Sequence, residues 1–152
     1  MRISEGEQNE RDFDWYCVDK DGRIGHFASA GFKRIPPSVE ESAEDLRLLD
    51  EFFKKLSTVP EGHQLDERLT SECRTERYLH SYIAMADRGL FSFDIESHLK
   101  AESCYFRVAI PKRPLLFAEL PEGVQKVLGR TRLLNYSLQD CSSIPYAATL
   151  AF

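Results

Sequence analysis

The chain has little of what would announce a chemistry. Its four cysteines (Cys17, Cys73, Cys104, Cys141) lie far apart with no Cys-x-x-Cys pair. That spacing spells out neither a redox motif nor a structural zinc site, and without an export signal the four read as reduced thiols. Eight glycines assemble neither Gly-x-Gly-x-x-Gly nor a phosphate loop ending in Gly-Lys-Ser/Thr, which removes the usual backbone cradles for nucleotides. No apolar run approaches the roughly 18 residues of a membrane span. The opening Met1-Arg2-Ile3-Ser4-Glu5-Gly6-Glu7 lacks the apolar stretch of a secretory signal, so the expected compartment is the cytoplasm. Cations are in deficit: 20 Lys and Arg against 25 Asp and Glu leave −5, which argues against nucleic-acid binding through massed positive charge.

What is present is ordinary for a globular domain. With 42% hydrophobic and 30% charged residues in 152, the chain can close a core without a disulfide or metal staple, and residues 1–152 read as one domain. The polar start is expected to be loose as far as Arg11, until Phe13 anchors it.

Local chemistry then predicts the elements. Phe13–Val18 and Ile24–Ser29 are aromatic-rich, β-prone segments joined by Asp19-Lys20-Asp21-Gly22, in which an aspartate opens the turn and Gly22 supplies a positive φ. Gly25 marks a bulge or a close backbone approach in the returning strand. Ser38-Val39-Glu40-Glu41 has the form of a capping box. Val39, Ala43, Leu46, Leu49, Phe53 and Leu56 then recur at helical spacing, predicting a helix from Ser38 to Leu56. A linker at Pro60-Glu61-Gly62 precedes a second helix with Tyr78, Leu79, Tyr82, Ile83 and Ala86 as its buried stripe, closed near Arg88-Gly89. Strands are expected over 90–95, 104–110 and 115–118, a short helix from Pro121 to Leu128, and a return to the sheet over 132–138. The apolar segment from Ile144 to Phe152 should dock. This order lacks the alternation of a doubly wound fold, and the expected class is α+β: a largely antiparallel sheet covered on one face by two longer helices.

Candidate chemistry is sparse. Asp12, Asp14, Asp19 and Asp21 invite a calcium reading, but aligning an EF-hand loop on Gly22 puts Cys17 first and Ala28 where the closing glutamate belongs. No metal or cofactor is expected. Of His26, His63, His80 and His98, only His26 falls on a strand near carboxylates, opposite Trp15 or Tyr16 depending on the hairpin loop. A carboxylate-oriented histidine there could serve as a general base in a small enzyme or ligand-binding protein; the plainer reading is a histidine stacked on an aromatic neighbour. Phe27-Ala28-Ser29-Ala30-Gly31 lacks the first glycine of a nucleophile elbow. Charge is modestly polarised. Up to Glu76 there are 11 basic and 18 acidic residues, a balance of −7, and beyond it 9 and 7, a balance of +2.

Three stretches resemble one another's counterparts in a known group. They are Phe13 to Phe27 continuing to Ala30-Gly31-Phe32 and Ile35-Pro36, then Ala86-Asp87-Arg88-Gly89-Leu90-Phe91-Ser92-Phe93-Asp94, then Arg107 to Leu115. Over most of the chain from Phe13 to about Leu120 the sequence is similar to small bacterial cytosolic proteins, some of them like immunity proteins of polymorphic toxin systems. The motifs are structural, and the resemblance implies no catalytic residue. It implies a protein-binding module that neutralises a cationic toxin domain through an acidic surface. Asp12, Asp14, Asp19, Asp21, Glu40 and Glu44 are the expected steering charges on the hairpin and first helix, with Tyr16 as an anchor.

Overall fold

The computed structural model describes residues 1–29, 35–96 and 104–150. The protein is α+β, and its seven strands form one mixed, mostly antiparallel sheet. The hairpin is β1 (Asp14–Asp19) against β2 (Ile24–Ala28), in the register that sets Tyr16 opposite His26. Its turn is fixed locally. The Asp19 carboxylate accepts the amides of Asp21 at 2.9 Å and Arg23 at 2.8 Å, and Gly22 takes φ 81°. Gly25 is a close approach: a Cβ there would lie 2.7 Å from Phe27 Cε1 and 3.1 Å from both Cys17 Sγ and Leu138 Cδ1.

The first eleven residues, expected to be loose, are instead folded onto the body. Ser4 caps α1 (Glu5–Glu10), and Ile3 is buried. This docking also breaks the long helix foreseen from Ser38. The structure has a short α2 (Pro37–Glu40) and then α3 (Ala43–Lys55). In an unbroken helix the Glu40 carbonyl would accept from residue 44 and the Ala43 amide would donate to residue 39. Here Ile3 N donates to Glu40 O and Ala43 N donates to Met1 O, both at 2.8 Å. The capping box on Ser38 is therefore not made. Ser42 caps α3 by accepting from Asp45 N, and Ser38 Oγ bonds Thr131 Oγ1.

Beyond Gly62 lies a strand that the sequence reading did not assign, β3 (His63–Leu65). Then come α4 (Glu76–Ala86), β4 (Phe91–Ile95) and the long β5 (Cys104–Pro111). In α4 the buried residues are Leu79, Tyr82, Met85 and Ala86, while Tyr78 and Ile83 are half-buried. The strand expected over 115–118 is a single bridge from Leu116 to Arg23 and a 3₁₀ turn; Leu115 N and Phe117 N donate to Gly89 O and Gly22 O, and the Leu116 amide is taken by the Glu119 carboxylate. After α5 (Glu122–Leu128), only β6 (Arg132–Leu133) of the expected 132–138 strand reaches the sheet, parallel to β1. The C-terminal segment docks as β7 (Ser143–Pro145) and α6 (Tyr146–Thr149), with Ile144 buried.

The sheet order is β3-β5-β4-β2-β1-β6, with β7 also on β5. One face carries an aromatic stack, with Trp15, Phe27 and Phe93 at centroid spacings of 4.5 and 4.6 Å and Tyr105 edge-on. The other face sets Tyr16, His26 and Ser92 side by side across β1, β2 and β4. Phe53 of α3 packs on Tyr16 and Tyr82 of α4 on His26.

Candidate functional site

The row Tyr16–His26–Ser92 lies under Phe53 of α3 and Tyr82 of α4, and it sets three buried polar side chains next to one another. His26 is 1% exposed. Its Nδ1 lies 2.6 Å from Ser92 Oγ, and its Nε2 lies 3.3 Å from Asp14 Oδ2. The Nε2 contact is within ion-pair range without hydrogen-bond alignment, which leaves that buried nitrogen unbonded. Burial raises the Asp14 carboxyl, but the His26 ring and the Lys54 ammonium more than offset this and hold it below the usual carboxylate range.

Serine, histidine and aspartate thus stand in line, and the arrangement differs from a hydrolytic triad in two ways. In such a triad the nucleophile sits on Nε2 and the acid on Nδ1, the reverse of this order. Ser92 is also 0% exposed, in mid-strand, paired with His26 on one side and Ala109 on the other, so an acyl group has no path to its oxygen.

Two satellite groups lock the row. Tyr16 Oη donates to Asp50 Oδ1 at 2.8 Å, and Lys54 Nζ donates to the same carboxylate's other oxygen at 2.8 Å. Burial and the Asp50 charge push the Tyr16 phenol far up, and the Asp50 bond raises Lys54. On the α4 side, Tyr78 Oη donates to Asp94 Oδ2 at 2.5 Å, with Tyr82 bonding the same carboxylate. Burial raises Asp94 despite these donors.

Two hollows open beside the row and share Asp14 and Lys54. One, of about 250 Å³, is lined by His26, His80, Ser81, Ala84, Met85 and Arg88 besides those two. The other, of about 430 Å³, runs between α1 and α3 past Arg11, Asp12, Phe13, Arg47 and Asp50. Among the described residues, no three or more His, Cys, Asp or Glu side chains are grouped to hold a metal ion. No described helix is long and apolar enough to cross a membrane.

The expected acidic docking surface is not assembled. Tyr16 is buried against Asp50 and cannot be an exposed anchor. Asp19 is buried, and its carboxylate holds the hairpin turn and the Leu138 amide. Glu40 is buried and pairs with Arg2 and Gln8. Asp14 faces His26. Only Asp12, Asp21 and Glu44 are exposed. Asp21 is paired with Arg23, and Glu44 with the Met1 ammonium. His98 lies outside the described residues.

The sequence reading passed over a different surface. On α3, Leu48 (42% exposed) and the half-buried Phe52 form a second apolar row outside the core row of Leu46, Leu49 and Phe53. Arg47 lies beside them, and among the described residues neither Arg47 nor Arg11 has a carboxylate within ion-pair distance. The signal was legible: Leu48 and Phe52 are four residues apart and off the buried stripe. No family model, no curated protein and no solved structure matches the chain.

Proposed function

We propose that the protein is a binding module for another protein, which docks along α3 with Arg47, Leu48 and Phe52 at the centre of the contact. The observation that supports this most is the composition of that face. An exposed leucine and a half-buried phenylalanine sit beside an arginine that has no ion pair among the described residues, and arginine and aromatic side chains are enriched at protein interfaces. Arg47 and Arg11, without an ion pair among the described residues, call for carboxylates on the partner. A toxin domain, the partner class that the resemblance to immunity proteins implies, would meet this face through acidic groups and not through the cationic surface first expected. The buried, reversed Ser92–His26–Asp14 line supports binding over catalysis.

A photo-crosslinking residue placed at Leu48 and, as control, at the distant exposed Leu134 tests the assignment in cells that make the protein natively. A discrete adduct from position 48, lost on adding Arg47→Glu and absent from position 134, is expected. No adduct, or the same products from both positions, refutes it.

A further inference from the structure

We propose that the hollow over the His26–Asp14 pair is a second binding site, independent of the α3 face, and that it takes a small zwitterion: a free α-amino acid or a compact analogue carrying both ammonium and carboxylate. Its volume of about 250 Å³ leaves room for a small ligand. Asp14 supplies a carboxylate held ionised by His26 and Lys54. Beside it the His26 ring, with Nε2 3.3 Å from Asp14 Oδ2, is itself too buried to meet a ligand, so the carboxylate is the group that a ligand ammonium engages.

The same hollow is lined by cations. Lys54 bonds Asp50 through one proton of its ammonium and has two more to offer. Arg88 is held rigidly, Nε on Leu56 O at 2.8 Å and Nη1 on Ala84 O at 2.6 Å, and its Nη2 has no partner among the described residues. His80 and Ser81 add further polar atoms, while Ala84 and Met85 give an apolar wall for a short side chain.

These charges disfavour the simpler ligands. A lone anion paired with Lys54 and Arg88 would still face Asp14, and a lone cation paired with Asp14 would still face Lys54 and Arg88. A ligand with both charges satisfies both sides at once. The guanidinium is already fixed by its carbonyl bonds, so little side-chain freedom is lost on binding.

The twenty common amino acids, each at millimolar concentration, are screened against the full chain by thermal unfolding and confirmed by titration calorimetry. At least one is expected to raise the unfolding midpoint and give saturable heat, while its N-acetyl derivative and its methyl ester, each lacking one charge, do not. Asp14→Asn should weaken binding at least about tenfold. Because Asp14 also faces His26, Ala84→Trp, which fills the hollow from the helix side, provides a second variant and should abolish binding. Arg47→Glu, on the other surface, should leave it unchanged. The proposal is overturned if no amino acid binds, if the singly charged derivatives bind as well, or if Ala84→Trp binds like the natural chain. Each result is separate from the crosslinking at Leu48.

Discussion

Replacing Gly25 by alanine and, in parallel, Gly123 by alanine asks whether the central aromatic stack is as tightly fitted as its geometry says. Both glycines lie outside the positive-φ region, so alanine can adopt either backbone and gains about 0.4–1 kcal/mol by restricting the unfolded chain. At Gly123, in the first turn of α5, the new methyl meets nothing within 4 Å, so that gain stands. At Gly25 the methyl would sit 2.7 Å from Phe27 Cε1, and reaching an ordinary contact of 3.4 Å requires the ring to retreat by roughly 0.7 Å. A free ring could do so. Phe27 cannot, because Trp15 stacks on it at 4.5 Å, Phe93 at 4.6 Å, and Tyr105 closes the edge at 5.0 Å. Cys17 Sγ and Leu138 Cδ1, both at 3.1 Å, block the other directions. Overpacking of this kind costs about 1–3 kcal/mol, which outweighs the entropic gain. The expected net effect is a loss of about 1–2 kcal/mol for Gly25→Ala, or roughly 2–8 °C in Tm for a domain of this size, against a gain of about 0.5 kcal/mol for Gly123→Ala. Urea unfolding followed by tryptophan fluorescence reads both, since Trp15 is the only tryptophan and lies in the stack. A Gly25→Ala protein as stable as its parent would refute the argument, because the stack would then have room to move.

Three further outcomes follow from the buried polar groups. Asp19→Ala should cost about 2–4 kcal/mol, since it leaves the buried amide of Leu138 and the turn amides of Asp21 and Arg23 without their acceptor; an unchanged urea midpoint would show that the turn holds itself. Asp94 has its carboxyl raised above 3.8 chiefly by burial, so ionising it costs the fold stability, and that cost appears as pH climbs through the raised value and is absent below about 3.8. Asp94→Asn, which keeps an acceptor for Tyr78 and Tyr82, should therefore make stability rise more steeply with pH from about pH 4 upward; Asp14, shifted the other way, acts only in the more acid range, and an unaltered slope would contradict the assignment. Ellman's reagent should titrate Cys73, Cys104 and Cys141 in the native protein but reach the buried Cys17 only on unfolding, whereas four fast thiols would mean that β1 opens readily.

What the sequence made legible was local. The Asp19-to-Gly22 turn sets the hairpin, though not whether His26 faces Trp15 or Tyr16, and periodicity alone places Leu79, Tyr82 and Ala86 on the buried side of α4. The misread features all depend on distant chain. The helix from Ser38 looked continuous because nothing near it says that Met1 and Ile3 will take the backbone bonds at Glu40 and Ala43. Glu40 looked like surface charge for the same reason: its burial is made by Arg2 and Gln8, more than thirty residues away. Tyr16 was expected as an exposed anchor, whereas β1 lies between β2 and β6 and every one of its residues after Asp14 is buried. Three-residue strands such as β3 carry too little alternation to be distinguished from a loop.

His26 shows how the two levels combine. Its place on a strand near carboxylates follows from the hairpin, which left its partner as Trp15 or Tyr16 until the structure set it opposite Tyr16, but its meaning depends on Ser92, which β4 brings alongside through a parallel pairing across sixty-six residues. That pairing makes the line of serine, histidine and aspartate, and it also removes the serine from solvent. A fluorophosphonate, which labels any serine that a histidine can activate and a substrate can reach, should leave this protein unmodified. The reason is access. Ser92 has the right neighbours and no open face, whereas Asp14 and Lys54 at the outer end of the same line border both hollows. Labelling at Ser92 would reverse that reading by showing that the sheet opens at its centre.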